Sequence, residues 1–232
     1  MLQLRPRETL DGGHHGWLNA RHHFVVAANG NLANRPLGAL VVWNDDEIAP
    51  GTGFGRHSHA DMEIITYVRQ GAVTHEDSAG NVGYTVEGDV QVMSAGTGIS
   101  HSERNRGEVP LKLFQIWLLP GQRGGTPRWE SRRFPKTDRA GQLVTLASGD
   151  PWDVDALQIR ADARVMGATL LAGTTLTHRL GAHRHAYLAP AKGAVFVNGE
   201  RVVLDDGIAA TDEASLTITA EEDAELILVT TS

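Results

Sequence analysis

The sequence predicts an all-β protein built as two barrels in tandem, and three observations lead there. Glycine is frequent (26 residues), and Gly/Asp/Asn clusters interrupt the chain every ten residues or so. The segments between them are short and rich in Val, Ile, Thr and Leu, and none sustains a 3.6-residue periodicity with caps, so helices should be few and short. A His-x-His pair at 57 and 59 is echoed by another at 183 and 185, which suggests a duplicated barrel.

The clearest strand candidates are Ala39 to Trp43, Met62 to Val68, Val90 to Met93, Leu111 to Leu118, Ala194 to Val197 and Leu226 to Val229. Between Pro120 and Asp150 the text turns to a Gly/Pro/Arg-rich stretch in which strand patterning fades. The expected organisation is therefore an N-terminal barrel over 1–130, a linker over 131–150 and a C-terminal barrel over 151–232.

Composition narrows the chemistry. A length of 232 residues permits one large or two small domains with a real core. With 41% apolar and 21% charged residues the chain is an ordinary globular one. The formal charge is −7 and no Lys/Arg run is present, so neither a phosphate backbone nor an anionic membrane is an expected partner. No apolar run approaches the roughly 18 residues that span a bilayer, and the opening MLQLRPRETLDGGHH has no secretory apolar core, so a cytoplasmic location is the default expectation. Cysteine is absent, which removes disulfides and thiolate chemistry and leaves His and carboxylates as the side chains to hold a metal.

Those residues cluster in two places. In GTGFGRHSHADMEIITYV an extended strand would point His57, His59, Asp61, Glu63, Ile65 and Tyr67 to one side, after glycines at 51, 53 and 55 that suit a tight turn. In EGDVQVMSAGTGISHSE, His101 and Glu103 repeat the i, i+2 spacing after a Gly-rich corner. If both strands line one barrel, three imidazoles and a carboxylate converge, a donor set suited to Fe(II), Mn, Co, Ni, Cu or Zn and unsuited to Ca or Mg. Four such donors leave a coordination position open, the mark of a catalytic site; a closed structural zinc is the duller reading. Glu63 is expected to orient a histidine from outside the ligand set.

The remaining histidines carry less. His14, His15, His22 and His23 are expected to be exposed or to make local hydrogen bonds, and His75 in THEDSAG reads as a hairpin flank. His183 and His185 lack a later histidine to complete a site, so the second barrel is expected to be free of metal.

The segment GTGFGRHSHADMEIITYV matches most of the first cupin motif. Together with THEDSAGN, GDVQVMSAGTGISHSE, LFQIWLLP and the opening HHGWLNARHHFVVA it resembles the pirin family, strongly over the first 120 residues and loosely beyond. The resemblance implies a bicupin whose N-terminal barrel binds iron, or another divalent metal, through His57, His59, His101 and Glu103. Ser58 stands where many pirins have proline. Bacterial pirin-like proteins also resemble quercetin 2,3-dioxygenases. That likeness implies O2-dependent opening of a flavonol ring with release of carbon monoxide, Glu103 taking the substrate proton, and Phe54, Met93 and Ile99 as candidates to hold the flat ligand. Two other functions fit the same family: a metal- or redox-sensing protein that binds a regulatory partner, and a cupin isomerase or sugar-binding protein.

Overall fold

The computed structural model describes residues 1–25 and 30–232. Among them the only helical pieces are two 3-10 turns, Arg7–Thr9 and Lys136–Arg139, and everything else regular is strand. The strands form two seven-stranded and two four-stranded sheets. In the first half a seven-stranded sheet, centred on Glu63–Gln70 and Leu111–Leu118, closes against a four-stranded sheet of Gly53–His59, Ile99–Arg104, Ala72–Asp77 and Val82–Val86. The second half repeats the plan around His185–Lys192 and Ala224–Thr231.

Alternation along the strands explains how the four sheets stack. One face of Leu111–Leu118 sends Leu113 inward to meet Val68 and Val73 across the first barrel. The other face sends Phe114 and Ile116 outward to meet Trp43, Ile65 and Tyr67 and, from the second half, Tyr187, Ile227 and Val229. The two seven-stranded sheets therefore pack back to back through a shared apolar seam, and their central strands are buried on both faces. That is why 64–68, 113–118 and 226–229 read as largely apolar runs in the sequence. All six strand candidates fall on observed strands.

The halves also exchange chain. Strand Leu2–Arg5 pairs antiparallel with Gly207–Ala210 and so extends the sheet of the second half. Its anchor is the buried Arg5, whose guanidinium donates to the His23 and Arg35 carbonyls and lies over the Phe24 ring. His23, expected to be exposed or locally bonded, is instead fully buried and hydrogen-bonded through Nδ1 to the Tyr187 hydroxyl at 2.8 Å, because the seam closes over it. Burial pushes its pKa down to about 3, so the ring stays neutral. His14 and His15 are exposed as expected, and residues 26 and 27 of the N-terminal motif lie outside the described residues.

Within 131–150, read as a linker, the chain holds the turn Lys136–Arg139 and the strand Val144–Ser148, which pairs with Ala163–Leu170 in the second seven-stranded sheet. Arg139 is fully buried, donates to Tyr67 Oη and the Gly88 carbonyl, and lies 3.5 Å from Glu225. It ties this stretch to both halves. Among the described residues no helix is long and apolar enough to cross a membrane.

Trp43 packs at ring-centroid distances of 5.2 Å from both Phe114 and Tyr187, in the middle of the seam. Its replacement, Trp43→Ala, should lower unfolding free energy by about 3–5 kcal/mol, the usual loss for a large buried aromatic. Urea unfolding measures this, and a loss below about 1 kcal/mol would show that the seam is not a core.

Candidate metal centre

The site is built on the four-stranded sheet of the first half. Gly51 and Gly53 lead into its first strand with φ of 72° and 151°. At Gly53 a Cβ would stand 2.3 Å from the Glu103 carbonyl oxygen, so only glycine lets the two strands approach here. The strand Gly53–His59 then pairs antiparallel with Ile99–Arg104 in a register that sets His57 directly opposite His101 and His59 opposite Ile99. Directly opposed residues project from the same face, which brings the imidazoles together. Their centroids lie 4.5 Å apart for His57 and His101, 4.8 Å for His57 and His59, and 5.1 Å for His59 and His101.

One donor atom from each of these three rings lies within 4.8 Å of the others. Glu103 follows His101 on the same strand after a register shift. Its donor atom groups, within the same distance, with His101 and with His75 rather than with the outer pair. His101 thus belongs to two overlapping groups, an outer one that opens to solvent at the exposed His57 and an inner one whose three members are all buried.

The electrostatics suit an ion. Burial, reinforced by His57, His75 and His59, pushes His101 down to about 3, and burial with His57 pushes His59 down to about 4. Burial lowers His75 as well, against the opposing pull of Asp77. These rings are neutral at physiological pH and carry free lone pairs, the form that binds a metal. Four imidazole nitrogens here have no hydrogen-bond partner among the described residues: His59 Nε2, His75 Nδ1, and both Nδ1 and Nε2 of His101. Buried polar atoms left unpaired are costly, about 1–3 kcal/mol each, and a cation among them offsets that cost. The residues fit a first-row divalent ion of the kind such nitrogen-rich sets prefer.

Neighbouring side chains hold the donors still. His57 Nδ1 donates to the Gly55 carbonyl at 2.8 Å. Glu103 accepts from Gln91 Nε2 at 2.7 Å, Gln115 Nε2 at 2.7 Å and Thr66 Oγ1 at 3.3 Å. Burial nonetheless pushes its carboxyl up to about 7.

The expected accessory residues divide. Glu63 does not share a face with the histidines: the chain turns at Asp61, φ 51°, between the two sheets, and this breaks the alternation assumed across 57–67. Its carboxylate accepts from Ser94 Oγ at 2.6 Å beside Arg160 and Arg128, and among the described residues no imidazole bonds to it. The role of orienting a histidine therefore falls elsewhere. Phe54 stands edge-on to Trp17 and 6.4 Å from His57. Met93 and Ile99 join Ile64 and Ala95 in an apolar cluster against which Trp117 packs, and Trp117 meets His59 at 5.0 Å. His183 is exposed in a turn, and His185 is half-buried. A cleft of about 550 Å³ lined by Gly121, Arg160, Asp162, Arg164 and Arg184 includes none of the clustered imidazoles.

Sequence reading missed His75, Gln91, Gln115, Thr66 and Asp46. Gln91 and Gln115 have a signal in hindsight, since a polar side chain inside an apolar strand, as in VQVM or LFQIW, needs a partner in the core. Asp46 is buried with neither oxygen bonded among the described residues, and burial, then Asp45 and Glu103, push it up to about 8.

Two closed sheet pairs joined back to back, with a histidine cluster at the mouth of the first, define a bicupin with a candidate metal centre. The family model for Pirin matches residues 3–118, and that for the quercetinase C-terminal cupin domain matches residues 145–230. The chain belongs to the pirin family. It is 58% identical to a pirin-like protein of Caulobacter vibrioides over 99% of both chains. It is 40% identical to a quercetin 2,3-dioxygenase of Escherichia coli K12 over 98% of this chain and 97% of that one. Among solved structures it matches YhhW of Escherichia coli with a TM-score of 0.94 at 38% identity, covering 100% and 98% of the two chains. It also matches the nickel(II) complex of that bacterial pirin with a TM-score of 0.92 at 38% identity, covering 100% and 99%.

The Asp46 carboxyl holds a proton in the folded chain between its ordinary value of 3.8 and about 8 that the unfolded chain lacks, so its contribution to stability falls as pH rises through that window. Asp46→Asn should flatten this part of the profile and raise the urea midpoint most near the alkaline end. Urea midpoints across the window test it, and an unchanged slope would place the proton on another group.

Proposed function

We propose that the chain holds one divalent metal ion through His57, His59, His101 and Glu103 and acts as a dioxygenase of the quercetin 2,3-dioxygenase type, opening a flavonol ring with O2 and releasing carbon monoxide. The observation that carries this reading is the convergence of the His57, His59 and His101 imidazoles at a mouth open to solvent, with nitrogens of His59 and His101 unpartnered among the described residues. The curated relative from Escherichia coli that bears this activity in its name supports it. Fe(II) is the expected ion. The donor set accepts nickel equally well, and nickel(II) is the metal named for the Escherichia coli pirin complex.

A divalent ion held there would supply the positive charge that stabilises a flavonol oxyanion. Glu103, raised to about 7, stands in the range where a carboxylate takes a proton from the flavonol 3-hydroxyl at neutral pH and later gives it up. Gln91 and Gln115 fix both of its oxygens, so the acceptor is preorganised. Phe54 beside His57 and Trp117 beside His59 give a flat aromatic ligand rings to pack on, and Met93 and Ile99 form the apolar wall behind Trp117.

Protein loaded with Fe(II) or Ni(II) should consume quercetin absorbance and O2 and release carbon monoxide. His101→Ala should weaken metal binding by more than the roughly 100-fold that loss of an outer hydrogen-bond partner causes. Elemental analysis, an oxygen electrode and headspace gas analysis read these outcomes. Loaded wild-type protein that yields no carbon monoxide and leaves the flavonol intact would overturn the proposed reaction.

A further inference from the structure

The second barrel has a mouth of its own, and its chemistry differs from that of the first. Its four-stranded sheet follows the same plan, with Thr175–Arg179 beside Ser215–Ala220 where the first half has Gly53–His59 beside Ile99–Arg104. His178 alternates with Leu176 and Leu180, both packed in the core of the second barrel, so its ring faces the same interior. The register sets His178 opposite Leu216, whereas His57 stands opposite His101. Leu216, with Ile218 and Ala220 on the same face, has no lone pair to give. Where the first barrel gathers imidazoles, the second has an apolar floor under a single one.

Cationic side chains surround that ring. Arg164 continues the inward row of Leu170, Ala168 and Met166, and it stands opposite Thr230, which continues the row of Leu226 and Leu228. Arg164, Thr230, His178, Leu180, Arg179 and Arg184 line one cavity of about 240 Å³. Among the described residues no carboxylate lines it. Arg164 donates through Nε to Asp153 and through Nη2 to Asp150, each at 2.6 Å, and Arg184 donates through Nη1 to Asp162 at 2.5 Å. Those three carboxylates fix two guanidiniums from outside the cavity, and Arg164 Nη1 and Arg184 Nη2 keep their donors for another group. Burial, and after it Arg164, lowers His178 below the ordinary histidine range, so the ring is neutral and brings an N–H donor without adding charge.

We propose that the mouth of the second barrel is a binding site for a small organic carboxylate, received by Arg164, Arg179 and Arg184 with the His178 ring and the Thr230 hydroxyl beside them. A guanidinium fork matches a carboxylate through two parallel hydrogen bonds. Asp150, Asp153 and Asp162 balance much of the arginine charge from behind, which favours a singly charged anion over a doubly charged phosphate. Leu180 and Ala182 give the body of such a ligand an apolar wall. The volume falls below the roughly 300 Å³ at which sites for drug-sized ligands begin, so the ligand is small. The site shares no residue with the candidate metal centre and stands independently of the reaction proposed there.

The test is calorimetric titration with benzoate and with inorganic phosphate, with circular dichroism to check folding. Wild type should bind one benzoate per chain and bind it more tightly than phosphate. Arg164→Gln and Arg184→Gln should each weaken benzoate about 10-fold or more, the loss expected for a hydrogen bond from a charged donor. His178→Ala, which removes no ion pair, should weaken it about 3- to 10-fold. Arg201→Gln, at an exposed arginine paired with Glu221 away from the cavity, should bind as wild type does. Absence of benzoate binding overturns the site, and so does phosphate binding as tight as that of benzoate. Equal weakening by Arg201→Gln overturns it as well, because the attraction is then general charge. Benzoate binding that survives Arg164→Gln and is lost in His101→Ala belongs to the metal centre and likewise overturns it. Should Arg164→Gln or Arg184→Gln fail to fold, His178→Ala decides, and an unchanged affinity there overturns the proposal.

Discussion

The site depends on one register, the antiparallel pairing that puts His57 opposite His101. A slip of one residue would turn His101 to the other face of its sheet, leave the imidazoles unmatched and separate Glu103 from Gln91 and Gln115. The register is held from both ends. Gly53 allows backbone contact with Glu103 that no side chain would permit, and Asn105 beyond the strand donates to the Ile48 and Val109 carbonyls. Backbone sterics, not attraction among the rings, assemble the donors.

That assembly works against the intrinsic stability of the fold. Neutral histidines crowded in a buried space forgo their hydrogen bonds with water, and a buried carboxyl near neutral pKa forgoes its charge. The shared seam supplies the stability that carries this burden. Trp43, Phe114 and Tyr187 meet in it, and Arg139 and Arg5 bind chain from both halves around it. The second half, whatever chemistry it has of its own, gives the first a rigid back wall.

Much of this was legible in the sequence, and the reasons are physical. Strands buried on both faces, such as 63–70 and 111–118, announce themselves as apolar runs. The grouping of His57, His59 and His101 shows because a two-residue spacing on a strand means a common face, while Glu103, expected with them, follows a register shift and groups with His101 and His75. Glu63 was misread because that rule assumes an unbroken strand, and a left-handed residue at Asp61 breaks it. His75 was passed over because its meaning lies in what stands across the sheet, Glu103 and Trp129, and not in its own neighbours. The exchange of strand Leu2–Arg5 into the second half joins segments at opposite ends of the chain, beyond any local pattern.

That exchanged strand bears on how the molecule comes into being. On the ribosome, residues 2–5 emerge long before Gly207–Ala210, their eventual partner, so they must wait unpaired while the first barrel forms around its own strands. Until they dock, Gly207–Ala210 is a bare sheet edge, open to the same segment of a neighbouring nascent chain as readily as to its own. That pairing is thus also a step at which two chains could trade arms, since the sockets for Arg5, the His23 and Arg35 carbonyls, accept the arm of either chain alike.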